Sequence, residues 1–230
     1  MIYLYEKIEQ LTDHQLFLLG ENLPQKLKER TWQMKNRKRK EERIIGYHLL
    51  CHALLKEYGQ SKREISVIEG KYGKLFLAAM PDIFFNISHS DENVACIVGK
   101  TENGIDLQKR ILFQERIERR ICSEQEKRRV DACQTIQEKE WTLTKIWAAK
   151  EEYLKKKATG IIQDLRLFRT EEKNDKEYTI EEERIILKER QNFIVAICTA
   201  EENQKIFSVT LDQLLKESKE NSVKKKDLKK

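Results

Sequence analysis

Along Trp147-Ala-Ala-Lys150-Glu151-Glu152-Tyr153-Leu154-Lys155, an aromatic ring, a carboxylate and an ammonium recur at i, i+4 and i+8. In a helix these three residues, Trp147, Glu151 and Lys155, share one face. Earlier stands Gly104-Ile105-Asp106-Leu107-Gln108, a short apolar run that, as a strand, turns Asp106 and Gln108 to one side and Ile105 and Leu107 to the other. A strand carboxylate facing a Glu and a Lys on a helix has the parts to hold a divalent ion against a diphosphate. Each piece also has an ordinary reading. A Glu151–Lys155 pair on a solvated helix is worth only ~0.2–0.5 kcal/mol, and an Asp after Gly is a common turn residue.

The elements that must carry these groups follow from apolar spacing. Ile44, Ile45, Tyr47, His48, Leu49, Cys51, Leu54 and Leu55 predict a long helix from about Lys35 to Tyr58-Gly59. Extended segments are expected at Glu64–Ile68, Lys74–Ala78, Ile83–Ser88 and Val94–Val98. The second half repeats this order: a helix over Glu138–Lys157, then extended segments at Leu165–Arg169, Tyr178–Leu187 and Phe193–Cys198. Between the series, Ile111–Ile121 reads as helical, and Ser123-Glu-Gln-Glu126 is a capping box opening a helix through about Cys133. The repeated order predicts a duplicated α+β unit, with the cleft between two similar lobes as the natural ligand site. We expect an N-terminal half over 1–103, a C-terminal half over 104–213, and a charged, disordered tail over 214–230.

Composition restricts the class. With 39% hydrophobic and 37% charged residues, 230 residues make a soluble chain able to bury a sizeable core. No apolar run approaches the ~20 residues of a membrane span, and the first residues lack a signal-peptide pattern. The five cysteines are scattered and never spaced as Cys-x-x-Cys, so a reducing cytoplasm and no membrane partner are expected. The net charge of +6 gathers partly in the final lysines and in Lys35-Asn-Arg-Lys-Arg-Lys40. That run shares its helix with Glu41 and Glu42, and no aromatic RNA-binding signature accompanies it, which argues against a nucleic-acid partner. His48 and His52 stand at i and i+4, but Leu-Leu-Cys lies between them and no third ligand is evident, so they read as core or helix-surface residues. Trp32, Trp141 and Trp147 read as packing anchors.

Three motifs then stand in order: Asn86-Ile87-Ser88-His89-Ser90, Gly104-Ile105-Asp106, and Trp147-x-x-Lys150-Glu151 with Lys155, preceded by Tyr72-Gly73-Lys74. Over about Pro24 to Phe193 the chain resembles the Sfp-type 4'-phosphopantetheinyl transferase family. The resemblance implies a pseudo-dimeric α+β fold of two similar helix-plus-antiparallel-sheet halves with the site between them. It implies Mg2+-dependent transfer of phosphopantetheine from coenzyme A to a serine of an apo acyl or peptidyl carrier protein, releasing 3',5'-adenosine bisphosphate. Asp106 and Glu151 would be metal ligands, Glu151 would help remove the serine proton, and Lys155 would lie on a phosphate or the reacting oxygen. Ser88 and His89 would line the coenzyme pocket and hydrogen-bond phosphate oxygens, His89 counting also among the catalytic residues with Glu151 and Lys155, and Lys74 would meet the diphosphate or adenine side. Arg43 and Lys26 best fit a 3'-phosphate site, with Lys28 and Arg30 as competitors.

Many relatives read Gly-Ile-Asp-x-Glu, whereas this chain has Gln108, a neutral amide, at the third metal position. The family also implies an acidic carrier surface meeting a basic enzyme, here a monomer. A metal-dependent nuclease using Asp106, Glu151 and a nearby Lys is the alternative enzyme, and a non-enzymatic nucleic-acid binder the alternative outside enzymology.

Overall fold

Capping signals written in the sequence set several element ends of this computed structural model. It describes every residue except 9–10, 61–64, 70–74, 158–163, 203 and 228–230, and gives the backbone alone at 69 and 220–227. In chain order the elements are β1 (Ile2–Tyr5), α1 (Asp13–Glu21), α2 (Gln25–Trp32), α3 (Arg37–Tyr58), β2 (Val67–Glu69), β3 (Leu75–Leu77), β4 (Phe84–Ser90), β5 (Asn93–Gly99) and β6 (Asn103–Lys109). There follow α4 (Glu115–Ile121), α5 (Glu124–Asp131), α6 (Ile136–Lys156), β7 (Thr170–Asn174), β8 (Glu177–Ile180), β9 (Glu183–Glu189), β10 (Phe193–Thr199), β11 (Ile206–Ser208) and α7 (Leu211–Asp227). The fold is α+β, with helices packed on mainly antiparallel sheets.

The first compact unit comprises Met1–Glu69, Leu75–Lys100 and Asn203–Lys230. Its sheet runs β11-β1-β5-β4, and β2 and β3 form a separate hairpin. Long α3 lies across β5, β1 and β4. It begins at Asn36, whose side chain accepts from Arg39 N, and ends at Gly59 with φ 67°, the left-handed cap that glycine adopts without steric penalty. Ile44, Ile45, Leu49 and Leu54 of α3 are buried with Val94, Cys96 and Val98 of β5. His48 and His52 are both buried: His48 Nε2 meets Leu19 O at 3.0 Å, and His52 Nδ1 meets Glu217 at 2.8 Å.

The second unit comprises Gly70–Lys74, which lie outside the described residues, and Thr101–Glu202, and its sheet order is β6-β10-β9-β8-β7. Helix α6 crosses β6, β10 and β9, with α5 and α4 alongside. The capping boxes of α5 (Ser123/Glu126) and α6 (Thr135/Glu138) are both formed. Apolar residues of α6, including Leu143, Ile146 and Leu154, close on Ile194 and Ala196 of β10 and on Ile185 and Leu187 of β9.

Four segments differ from the sequence reading. Tyr178–Leu187 is not one extended run but the β8–β9 hairpin, turning at Glu181-Glu182 with φ 54° at Glu181; the charged run Glu181 to Arg184 hid the turn because no Gly or Asn marks it. Leu165–Arg169 holds a 3-10 turn at Leu165–Leu167, started by the Asp164 side chain accepting from Arg166 N at 3.0 Å. Ile111–Phe113 is not helical: Ile111 N donates to Thr144 Oγ1 at 2.9 Å and Phe113 N to Glu140 Oε1 at 3.3 Å, so side chains of α6 supply what a helical turn would. The tail expected at 214–230 is helical through Asp227, and Leu214 and Ser218 are buried in the first unit because α7 packs on α1 and α3. The expected strand start at Glu64 and Lys74 lies outside the described residues.

Candidate active site

In the second unit, β6 and α6 bring three of the predicted residues together. Gly104, Asp106 and Gln108 alternate onto the strand face that α6 covers. Gly104 is required there by close approach: a Cβ would stand 2.1 Å from Glu152 Oε1 and 3.1 Å from Glu152 O. Asp106 is buried, with its side chain 2% exposed, and Lys155 pairs directly with its Oδ1. The same ammonium stands 3.7 Å from Glu151 Oε1. Trp147 donates its indole N–H to Glu151 Oε2 at 2.7 Å, which fixes the carboxylate one turn along the helix. The i, i+4, i+8 face therefore exists, and it is built onto Asp106. Gln108 belongs to the same strand face, but its amide nitrogen donates to the neighbouring Lys109 O at 2.9 Å.

The electrostatics follow from this packing. Burial opposes the charged form of Lys155, yet Asp106 and then Glu151 outweigh it and hold the ammonium above its ordinary range. Glu152 had no place in the sequence reading. It is fully buried, neither carboxylate oxygen has a hydrogen-bond partner, and burial followed by repulsion from Asp106 pushes its carboxyl up to about 8. The available signal was its adjacency to Glu151 in a helix whose surrounding residues are apolar.

Lys150 also escaped assignment, although it lies inside the motif. Its fully buried ammonium donates to Ile121 O at 2.7 Å, Glu126 Oε2 at 2.6 Å and Leu165 O at 3.0 Å. Glu126 in turn accepts from Ser123 N at 2.7 Å and from Thr170 N and Oγ1 at 2.8 and 2.7 Å. Burial alone would raise the Glu126 carboxyl; the Lys150 charge and these donors hold it below its ordinary value. This group pins α6 to α5 and the start of β7, and so sets the rotation at which Glu151 is presented.

The remaining predicted residues belong to the first unit. Ser88 and His89 are consecutive on β4, so they face opposite ways: Ser88 is buried and the His89 side chain is 38% exposed. His89 Nδ1 lies 3.3 Å from Glu42 Oε2 and its Nε2 lies 3.4 Å from Arg39, both on α3. Glu42 is buried, which raises its carboxyl against the opposing pull of Arg39 and Lys38. Arg39, read from sequence as part of a solvated basic face, thus joins His89 and Glu42; its i, i+3 spacing to Glu42 was the available signal. Arg43 is exposed one turn further along α3, and Lys26 is exposed on α2. Of the competitors, Lys28 is paired to Glu21 at 3.0 Å. Lys74 lies outside the described residues.

Asp106 and Glu151 are the residues that could hold a divalent ion. Both offer hard carboxylate oxygens, and a cation already stands between them. Among the described residues no three His, Cys, Asp or Glu side chains gather into a metal-ligating group.

Comparison with known proteins reaches the same segment. Residues 102–198, the stretch that contains both β6 and α6, match the family model described as the 4'-phosphopantetheinyl transferase superfamily. Over 138 residues the chain is 32% identical to a 4'-phosphopantetheinyl transferase of Bacillus subtilis, covering 60% of this chain and 61% of the relative. It is 27% identical over 138 residues to the 4'-phosphopantetheinyl transferase Sfp of Bacillus subtilis (strain 168), with the same 60% and 61% coverage. The match thus spans about three fifths of the length of these curated relatives.

Proposed function

We propose that this chain, similar over 102–198 to the 4'-phosphopantetheinyl transferase superfamily, belongs to that family and transfers 4'-phosphopantetheine from coenzyme A to a serine of an apo acyl or peptidyl carrier protein, with Mg2+ as the ion. The observation that carries this reading is the meeting of Asp106, Glu151 and Lys155 within the matched segment. The nuclease reading drew on the same carboxylates, but the relatives' names speak for group transfer.

The residues divide the work by chemistry. In the transfer, the serine Oγ–P bond forms, the P–O bond to the adenosine bisphosphate breaks, and the serine proton must leave. Asp106 and Glu151 would hold Mg2+, which when bound neutralises diphosphate charge that would repel the nucleophile. Glu151, held by Trp147, accepts the serine proton directly or through a water. Lys155 offers its ammonium to a non-bridging phosphate oxygen, where charge builds as the bond breaks. His89 and Arg39, with Arg43 on the same helix, supply donors for the phosphates of coenzyme A, and Lys26 and Lys74 extend that set. Gln108 brings no charge, so the substrate phosphates carry more of the ion's neutralisation than in relatives with Glu at this position. A net charge of +6 favours encounter with an acidic carrier.

The test is intact-protein mass spectrometry of an apo carrier protein incubated with this protein, coenzyme A and Mg2+. The expected result is a mass gain of one phosphopantetheine that disappears with EDTA and falls at least about 100-fold in rate for Asp106→Asn, the loss typical of removing a charge-stabilising group. Absence of any gain across acyl and peptidyl carriers, with the protein folded, would overturn the reading.

A further inference from the structure

Two carboxylates that face a common point repel each other, and a protein holding both ionised must place a positive charge between them. Here that charge is the Lys155 ammonium, paired with Asp106 Oδ1 and 3.7 Å from Glu151 Oε1. Asp106 is almost wholly buried and Glu151 accepts a hydrogen bond from the Trp147 indole, so both carboxylates are anchored by the fold. Lys155 is the movable member. Its side chain is 28% exposed and lies in the last turn of α6, which ends at Lys156.

We propose that Lys155 is a built-in stand-in for the metal ion: it occupies the cation position between Asp106 and Glu151 until a divalent ion displaces it. Metal binding and release of the Lys155 ammonium are then one event. The inference rests on the metal site of the proposed function and adds an order to it. Two carboxylates and one ammonium sum to one negative charge; two carboxylates and a divalent ion sum to zero. The exchange therefore leaves the pair neutral and frees an ammonium within reach of the phosphates that arrive with the ion. A lysine that holds the site closed without metal becomes the phosphate ligand once metal is present.

The consequence is a competition that can be read without turnover. Mn2+ binding, followed by calorimetry and electron paramagnetic resonance, should be about tenfold tighter for Lys155→Met than for the wild type, equivalent to ~1.4 kcal/mol. In the wild-type protein, labelling by an amine-reactive reagent with peptide mapping should show Lys155 modified several-fold faster once Mn2+ is added; this second measurement decides the matter if Lys155→Met does not fold. Equal Mn2+ affinity in the two proteins, or a Lys155 labelling rate indifferent to Mn2+, overturns the inference. Asp106→Asn separates the two levels. If it loses the ion while Lys155→Met binds as wild type, the metal site stands and only the displacement fails. If it binds Mn2+ as the wild type does, site and displacement fall together.

Discussion

Glu151 and Glu152 are neighbours in sequence, yet one step along a helix turns a side chain by about 100°, and the two carboxylates meet different surroundings. Glu151 is partly exposed between Trp147 and Lys155, whereas Glu152 is sealed over Gly104 with no hydrogen-bond partner. An unpartnered buried acid is most stable protonated. In the unfolded chain its carboxyl ionises near 4.5 and in the native protein it is pushed up to about 8. Between those values the native state binds the extra proton, so stability falls as pH rises; the contribution is fully present below 4.5 and is lost above about 8. Glu152→Gln should flatten that slope in urea denaturation and raise stability at pH 8.5 by ~2 kcal/mol. An unchanged slope would mean that the native carboxyl titrates at its ordinary value. Residue chemistry was legible in the sequence where types recur at a fixed spacing, as at Trp147, Glu151 and Lys155. It was not legible at Glu152, because whether a glutamate is solvated or sealed depends on a strand that lies far from it in the chain.

At the scale of elements, the site depends on the angle at which α6 lies on its sheet. The buried Lys150–Glu126 pair fixes that angle with bonds to the end of α4, the start of α5 and the 3-10 turn. Removing one member leaves a charge in the interior with no counter-charge, which is far more damaging than replacing both. Lys150→Met should lower stability by ~3–5 kcal/mol, and adding Glu126→Gln should restore at least half of that loss. Thermal denaturation of the single and double variants checks this; equal losses in both would assign the effect to packing. The helices α3, α5 and α6 were readable because their caps are local: Gly59, Ser123 with Glu126, and an unbroken apolar period in α6. The β8–β9 turn and the extended Ile111–Phe113 segment were not. The first turns at a charged apex, and the second has its backbone satisfied by Thr144 and Glu140 of another element, a partner that no local pattern names.

For the whole molecule, the described residues of the second unit all fall between Thr101 and Glu202, whereas the first unit is assembled from both ends of the chain. Strand β11 pairs in parallel with β1 through Ile2↔Ile206, Tyr3↔Phe207 and Leu4↔Ser208, and Val209 N donates to Leu4 O at 2.8 Å. Val209 and Leu214 are buried, and Glu217 meets His52. Such a return could not be read from the sequence, because a three-residue strand of Ile-Phe-Ser carries no period and the lysines after it suggested a solvated tail. Ending the chain after Glu202 should therefore destabilise the first unit by at least ~3 kcal/mol from the lost Val209 and Leu214 burial alone. Urea denaturation followed through the native fluorescence of Trp32 would register this, and an unchanged midpoint would show that β11 and α7 contribute nothing to the unit. The same topology has a meaning for protein synthesis. Strand β1 leaves the ribosome early and waits for a partner about 200 residues behind it, which at ~5–20 residues per second is roughly 10–40 s. During that interval its outer edge is open to any other strand, so the nascent chain carries an unclosed strand edge until almost all of it has been made.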